Sequence, residues 1–220
     1  DARLLLFPVK SMKGVVAWIT CPKIISKFNE ELKIAGHSVQ FDISKGNIAA
    51  TDNTLTLNGK NIILEEYTFE IDTPNENKTG KNQVNQLGEW LAENVLERNG
   101  YFADKLMTDI VVLENDDFKD FVHLSTEVIT RTKINNETGT VQDGALFTEE
   151  YLPAESIMYS LVLTAPEFAK ERTEFKTEND LKNFFKEFVT KNEVLQIGGN
   201  ATLGKGITKA VFVEPKNGGK

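Results

Sequence analysis

The sequence has little of the chemistry that marks secreted, zinc-binding or membrane-spanning proteins. Its 220 residues include one cysteine, Cys21, so the chain can form neither an internal disulfide nor a cluster of thiolate ligands. Its two histidines, His37 and His123, lack a companion at metal-ligand spacing and are predicted to be structural or surface residues. No apolar run approaches the ~18 residues that a membrane helix needs. We therefore expect a reducing compartment, the cytoplasm by default, and no membrane partner.

The chain also lacks an excess of basic residues. Lys and Arg number 25 against 33 Asp and Glu, which gives a formal net charge of -8. Proteins that coat themselves in nucleic acid are usually basic overall, so this balance argues mildly against that role. It does not exclude the role, because a few cations on one groove dominate the potential within a Debye length of about 8 Å. The length suits one compact domain, or a domain with a sizeable insertion.

Apolar periodicity indicates strands and helices without a steady βαβ rhythm, which is typical of the α+β class. The segment 54–72 has two strand-like runs around Asn58-Gly59, the strongest short hairpin signal. The stretch DIVVLEN, followed by DFKDFVHLS, predicts a strand and then a short helix. The other predicted strands are 3–9, 14–20 and 207–213.

Three amphipathic helices are predicted. The first begins near Pro22 and stops at Gly36, and the second covers 83–98. The third begins at Thr177, where Asp180 three residues later approximates a capping box. The apolar stripe of the third helix follows helical spacing and is predicted to pack into the core. Its members are Leu181, Phe184, Phe185, Phe188 and Val189.

The segment LQIGGNATLGKG, residues 195–206, nearly matches the phosphate-binding loop G-x-x-x-x-G-K-[ST] between Gly199 and Lys205. That loop requires a following helix and a hydroxyl residue, whereas Gly206 and the strand-like ITKAVFV follow here. The sequence therefore argues against an ATPase. The glycines remain to be explained, either by a plain hairpin or by a loop pressed against a ligand or another part of the chain, with positive φ expected at Gly199.

The stretch VITRTKI alternates in a way that predicts a strand with two different faces. Arg131 and Lys133 fall on one face with Ile129, and Thr130 falls on the other. A face with two cations can lie along a phosphate backbone while apolar residues prop bases apart. An ordinary solvated hairpin face is the alternative interpretation.

Three separated stretches carry a family resemblance: LLLFPVKSMKGVVAWITCP, TEVITRTKINNETGTVQDGALFTEEYLP and LQIGGNATLGKG. Together they resemble the backbone subunit of the type III-B CRISPR effector, the fourth subunit of the Cmr complex, in the RAMP superfamily of RNA-binding proteins. The resemblance runs from residue 1 to about residue 213 in the family's motif order. It implies one α+β RAMP domain over 1–220, with an RNA-recognition-motif-like (ferredoxin-like) core, helical insertions and a β-hairpin thumb at about 126–148. The first strand and helix of that core are then expected upstream of Asp1.

The resemblance further implies what the protein binds. Copies of the subunit would stack into a filament along a CRISPR RNA, together with other Cmr subunits, and target single-stranded RNA would be cut at regular intervals with a divalent metal, Mg or Mn. The residues that match the family's RNA-binding segments are Lys10, Ser11, Lys13, Thr130, Arg131, Lys133, Gly198, Gly199, Gly204, Lys205 and Gly206.

Two residues after the thumb match family positions that support cleavage, Glu149 and Tyr151. Neighbouring residues on a strand point to opposite faces, so Glu149 rather than Glu150 shares a face with Tyr151. A carboxylate can position a metal or a water, and a phenol can donate a hydrogen bond to phosphate. Simple surface solvation is the alternative for this pair.

The family's principal catalytic aspartate is expected upstream of Asp1, so this segment alone is predicted to be inactive. Three functions stay open from the sequence. They are an RNA-guided endoribonuclease subunit, a non-catalytic RNA-binding subunit of the same complex, and a scaffolding domain unrelated to nucleic acid.

Overall fold

The structure, a computed structural model, describes residues 2–96, 100–166, 168 and 175–215. It confirms the predicted α+β class. The elements in these ranges are, in chain order, β1 (Arg3–Ser11), β2 (Val15–Thr20), α1 (Pro22–Ile34), β3 (Ile48–Ala49), β4 (Asn61–Leu64), β5 (Tyr67–Glu70), α2 (Gln83–Asn94), α3 (Tyr101–Thr108), β6 (Ile110–Val112), α4 (Asn115–Leu124), β7 (Glu127–Ile134), β8 (Val141–Tyr151), β9 (Ile157–Tyr159), α5 (Glu178–Lys191), β10 (Val194–Gln196) and β11 (Ile207–Lys209), with a 3₁₀ turn at Ala201–Leu203.

Seven of the described strands form one mixed sheet, in the order β3-β6-β2-β1-β4-β5, with β9 also paired to β1. The long strand β1 pairs along one edge with β2, while its first residues pair with β9 and its last residue meets β4. The pair of β2 and β6 is parallel. The β7–β8 hairpin follows α4, which packs against this sheet, and precedes β9, which pairs with β1.

Both faces of the sheet are covered, as alternation along the buried strands requires. On β2, Trp18 faces a cluster built with α1, α2 and α3, whereas Ile19 faces a second cluster built with α4. The same alternation places Val112 in the first cluster and Val111 in the second. Among the described residues, no helix combines the length and apolar content needed to cross a bilayer.

The first predicted helix is confirmed, and the second is shorter than predicted. The side chain of Asn82 caps α2 by accepting from the backbone N–H groups of Val84 and Asn85. The helix then ends at Asn94, and a separate helix, α3, packs against it. Gly88 allows this contact, since a Cβ there would lie 2.7 Å from the carbonyl oxygen of Leu106.

The hairpin predicted around Asn58-Gly59 forms only in part. Both residues have the positive φ of a tight turn, 50° and 71°, and an isolated antiparallel bridge between Leu57 and Asn61 closes it. The observed hairpin pairs β4 with β5 instead. The segment before the turn is held in the core, because Leu55 is fully buried and Thr54 Oγ1 donates to Asp109 Oδ1 at 2.6 Å.

The predicted capping box of α5 is confirmed, but its predicted burial is largely wrong. Thr177 and Asp180 exchange side-chain to backbone hydrogen bonds as the motif requires. Of the apolar stripe, Val189 is buried, whereas Phe184 is 54% and Phe188 47% exposed. The reason is position, since α5 contributes to neither of the two core clusters in the described chain. The strand predicted at 207–213 is likewise shorter, as β11 ends at Lys209.

Candidate functional site

The segment predicted as a thumb forms the two-stranded antiparallel sheet of β7 and β8. Its turn closes at Asn135, whose N–H donates to the carbonyl of Thr140 at 2.8 Å. A register shift between Thr132 and Ile134 marks an irregularity near the tip. Most residues of the hairpin are exposed to solvent, so its surface is available to a binding partner.

The strand register places a carboxylate, a phenol and a guanidinium on one face of this hairpin. Glu127 lies opposite Tyr151, Ile129 opposite Glu149, and Arg131 opposite Phe147. Directly opposed residues share a face, so Arg131 is a diagonal neighbour of Glu149. Thr130 lies on the opposite face, where it is paired with Thr148. Thr130 and Arg131 therefore cannot contact the same side of a bound RNA.

Five residues make the contacts that we call the thumb-base cluster: Arg131, Glu149, Tyr151, Asn200 and Lys205. Glu149 is its centre, since Arg131 Nε lies 2.7 Å from Oε2 and the hydroxyl of Tyr151 donates to the same oxygen at 2.7 Å. Asn200 Nδ2 donates to Glu149 Oε1 at 3.3 Å and to the hydroxyl oxygen of Tyr151 at 3.1 Å. Lys205 Nζ lies 4.4 Å from the centre of the Tyr151 ring.

Two members of the cluster come from the glycine-rich loop, which β10 and β11 close into a hairpin. The loop needs glycine at Gly206, where φ is 75° and a Cβ would lie 1.9 Å from the carbonyl oxygen of Ile197. Gly198 and Gly204 also have positive φ. The expectation for Gly199 is wrong, because its φ is not in the left-handed region and nothing lies within 4 Å of a Cβ there.

The contacts shift the acidities of the central pair in opposite directions. The hydrogen bond from Tyr151 is the main cause that lowers the pKa of the Glu149 carboxyl, followed by the charge of Arg131 and the amide of Asn200. The same hydrogen bond raises the pKa of the Tyr151 phenol, because it favours the protonated form. At neutral pH the cluster therefore contains a carboxylate and a neutral phenol.

The cluster does not have the composition of a resident metal site. Magnesium and manganese take several oxygen ligands, usually including more than one carboxylate. Here both oxygens of Glu149 accept from protein donors, and Arg131 already supplies the counter-charge. Within the described ranges, no group of three or more His, Cys, Asp or Glu residues is arranged to hold a metal.

The other predicted RNA-binding group lies in a separate part of the fold, at the turn between β1 and β2. Ser11 is buried and its hydroxyl donates to the carbonyl of Ile63 at 3.4 Å, so it is engaged within the sheet. Lys10 and Lys13 are exposed, and Lys13 Nζ donates to the carbonyl of Thr56 at 3.1 Å. Lys133 is exposed near the thumb tip.

Sequence reasoning missed Asn200. It carries no motif of its own, and the signal that pointed to the region was the spacing of the glycines around it. Its partner Glu149 is 51 positions away in the chain. Only the folded loop shows that the amide faces the thumb.

Comparison with known proteins decides the family. The model of the RAMP superfamily matches residues 1–209. The chain belongs to the RAMP superfamily. It is homologous to the Cmr endoribonuclease Cmr4 of Pyrococcus furiosus, with 37% identity over 223 residues that cover 100% of this chain and 70% of that protein. The Cmr4 subunit of Saccharolobus solfataricus is 26% identical and covers 95% of this chain and 69% of its own length.

Solved structures agree with this RAMP assignment. The crystal structure of oligomeric Cmr4 from Pyrococcus furiosus matches with a TM-score of 0.66 at 31% identity, over 94% of this chain and 69% of that one. A chain of the type III-B Cmr-beta complex bound to cognate target RNA matches with a TM-score of 0.64, over 95% of this chain and 67% of that one. Its identity of 19% supports the shared fold alone.

Proposed function

We propose that this RAMP protein is an RNA-binding backbone subunit of a type III-B CRISPR effector and that its thumb base supports cleavage of target RNA. One observation carries the proposal: the thumb-base cluster brings Glu149 and Tyr151 together with two cations on an exposed hairpin. The relatives add the context, since Pyrococcus Cmr4 is named an endoribonuclease and the Cmr-beta complex was solved with cognate target RNA.

Arg131 and Lys205 are the groups of the cluster suited to a phosphate backbone. A guanidinium has five N–H donors, so Arg131 can keep its Nε contact with Glu149 while its other donors bind a phosphate. Lys205 Nζ lies over the Tyr151 ring and 3.4 Å from Glu127 Oε2. The Lys205 side chain is still partly exposed, so its ammonium can also contact a phosphate. Because Arg131 is paired with Glu149 and Lys205 with Glu127, the cluster offers free N–H donors to a phosphate and not an excess of positive charge.

The role that suits Glu149 is to hold its neighbours, not to remove a proton. An efficient general base has a pKa near the working pH, whereas the donors around Glu149 lower the pKa of its carboxyl. The hydroxyl hydrogen of Tyr151 is given to Glu149, so the groups left to face a phosphodiester are the free donors of Arg131 and the Lys205 ammonium. These can stabilise charge that develops on the phosphate oxygens. The proton transfers are therefore assigned to residues outside the cluster.

The proposal extends to the assembly. We expect copies of this subunit to bind along a CRISPR RNA beside other Cmr subunits, with target single-stranded RNA paired to the guide and the thumb lying against the duplex. The exposed hairpin supports this arrangement, since its strands β7 and β8 pair with each other and with no further described strand. A divalent ion for cleavage and a cytoplasmic location stay predictions.

Cleavage of target RNA by the assembled complex tests the proposal. The variant Glu149→Gln should slow cleavage, and Tyr151→Phe should slow it as well, both measured under single-turnover conditions in magnesium and in EDTA. The matched control is Glu150→Gln, because Glu150 lies on the opposite strand face and accepts from Thr126 Oγ1 at 2.6 Å. Equal rates for all variants would refute a catalytic role for the cluster.

A second function, a non-catalytic RNA-binding subunit, is favoured by one observation. Every oxygen of Glu149 already accepts from a protein donor, which is the arrangement of a structural ion pair. The same assay separates the two functions. A wild-type complex that binds target RNA tightly and leaves it uncut in magnesium would assign the chain to the non-catalytic class.

A further inference from the structure

The side chain of Asn200 joins two parts of the fold that are remote in sequence. Its Nδ2 donates to Glu149 Oε1 and to the hydroxyl oxygen of Tyr151, so one amide contacts both members of the pair. An ionised carboxylate only accepts hydrogen bonds, which requires the amide nitrogen and not its oxygen to face Glu149. The amide has two N–H donors, one for each of these contacts.

The loop backbone holds Asn200 in place. The carbonyl of Asn200 accepts from the N–H groups of Leu203 at 3.1 Å and of Lys205 at 3.3 Å. The loop is closed at its base, where the N–H of Ile197 donates to the carbonyl of Gly206 at 2.9 Å. Gln196 Nε2 donates to the carbonyls of Ala201 and Lys205 inside the loop. These bonds restrict the position from which the amide reaches the thumb.

Three hydrogen bonds connect Asn200, Tyr151 and Glu149, and the donor and acceptor of each are fixed. Asn200 donates to the Tyr151 oxygen, and Tyr151 donates onward to Glu149 Oε2 at 2.7 Å. A hydroxyl has a single hydrogen, so Asn200 occupies an acceptor position of Tyr151 while that hydrogen points to Glu149. The remaining oxygen of Glu149 is turned toward the loop by the second amide bond. Both side chains are therefore oriented by one residue of the glycine-rich loop.

We propose that Asn200 is a positioning residue for target-RNA cleavage, one that sets the orientation of Glu149 and Tyr151 and couples them to the glycine-rich loop. The inference rests on the proposed function of the pair. RNA that seats its backbone against the loop then meets Arg131 and Lys205 in a fixed arrangement. Asn200 does not act on the scissile phosphate itself, since its two amide hydrogens are committed to the pair.

The test compares Asn200→Ala and Asn200→Asp with the wild type in the assembled complex. Asn200→Ala removes both amide bonds, and we expect the single-turnover cleavage rate to fall about 10- to 100-fold, the range of a small misplacement of reacting groups. The affinity for target RNA should stay within about twofold, because no phosphate contact is removed. The control is Asn192→Ala, which removes an amide that donates to the carbonyl of Phe188 on α5.

A pH profile separates positioning from a merely structural effect. Asn200→Asp places a second carboxylate beside Glu149, and like charges favour protonation of one of them. The acidic limb of the cleavage profile should therefore move to higher pH in Asn200→Asp. A profile and a rate equal to the wild type in both variants would overturn the inference.

A titration of the full chain needs no cleavage activity. With ¹³C-labelled tyrosine, the Tyr151 signal is assigned by its loss in Tyr151→Phe. The Asn200 bond to the phenol oxygen favours the tyrosinate, so Asn200→Ala should move the Tyr151 titration to higher pH. An unmoved titration would show that the contact is absent and would also overturn the inference.

The cleavage assay distinguishes failure of the positioning role of Asn200 from failure of the proposed function. If Glu149→Gln slows cleavage and Asn200→Ala does not, the thumb-base cluster keeps its function and the positioning role of Asn200 is wrong. If neither variant slows cleavage, the proposed function fails, and the positioning role fails with it.

Discussion

Arg131 lies diagonally across the thumb from Glu149, with its Nε 2.7 Å from Glu149 Oε2, and both side chains are 25% exposed. This ion pair changes how the basic face of β7 can bind RNA. A cation that was expected to face phosphate is already paired, so its remaining donors, and not its net charge, are what it offers. The RNA affinity of the thumb therefore depends on the carboxylate as well as on the cation.

The first prediction concerns RNA binding by the thumb. Arg131→Ala should weaken binding and reduce the slope of log K against log salt by about 0.7, the value for one phosphate contact on a single strand. Glu149→Gln should strengthen binding, because it releases the guanidinium and removes a negative charge near the phosphate. Fluorescence anisotropy over a salt series measures both effects. The control is Lys27→Ala, an exposed cation on α1; a slope for Arg131→Ala equal to that of this control would exclude the phosphate contact.

The second prediction concerns the acidity of Glu149. Its pKa is lowered in the folded protein, so its contribution to stability is present above the unfolded pKa and is lost as pH falls through the folded pKa. Tyr151→Phe should raise the pKa of Glu149 toward its ordinary value by more than Arg131→Ala does, because the phenol hydrogen bond is the largest cause. A ¹³C titration of the glutamate carboxyls measures this order. The reverse order would mean that charge, not the hydrogen bond, dominates.

The third prediction concerns the glycine-rich loop. Gly206→Ala combines a left-handed φ with a clash at the Ile197 carbonyl, and the φ alone costs about 1–2 kcal/mol. For a chain of this size each kcal/mol lowers the unfolding midpoint by about 2–4 °C. Gly199→Ala, with open space and no left-handed φ, should leave the midpoint within about 1 °C. Thermal unfolding followed by circular dichroism compares them, and equal midpoints would contradict the structure of the loop.

The fourth prediction concerns a buried ion pair beneath the β1–β2 turn. Asp109 is 1% exposed and accepts from Lys105 Nζ at 2.5 Å and from Thr54 Oγ1, while Lys105 also donates to the carbonyl of Gly14. Asp109→Ala leaves a largely buried ammonium without its carboxylate and should lower the unfolding free energy by about 3–5 kcal/mol.

The matched control for that pair is Asp72→Asn. Asp72 pairs with Lys45 at 3.5 Å on the surface, where both side chains are about two-thirds exposed or more. Such pairs contribute about 0–1 kcal/mol. Urea unfolding measures both variants. A loss for Asp109→Ala as small as that for Asp72→Asn would show that the turn is not held by the buried pair.

Structural features that depend on residues adjacent in the sequence were predictable from the sequence. The cap at Thr177 and Asp180 and the buried strands β1 and β2 follow from local hydrogen bonding and from runs of apolar residues. Where a local signal competed with burial, the prediction was confirmed only in part. Asn58-Gly59 forms its turn, but Leu55 before it is committed to the core, and the hairpin forms further along the chain.

That Glu149 and Tyr151 share a strand face follows from the alternation of side chains along a strand, which is a local property of the sequence. The three motifs and their order along the chain carry the resemblance to the RAMP superfamily. The folded chain is needed to show that Asn200 contacts this pair, that Arg131 is paired with Glu149, and that Phe184 is exposed on α5. Such contacts join residues tens of positions apart, and the free energy that selects them comes from packing the whole chain, which no local pattern contains.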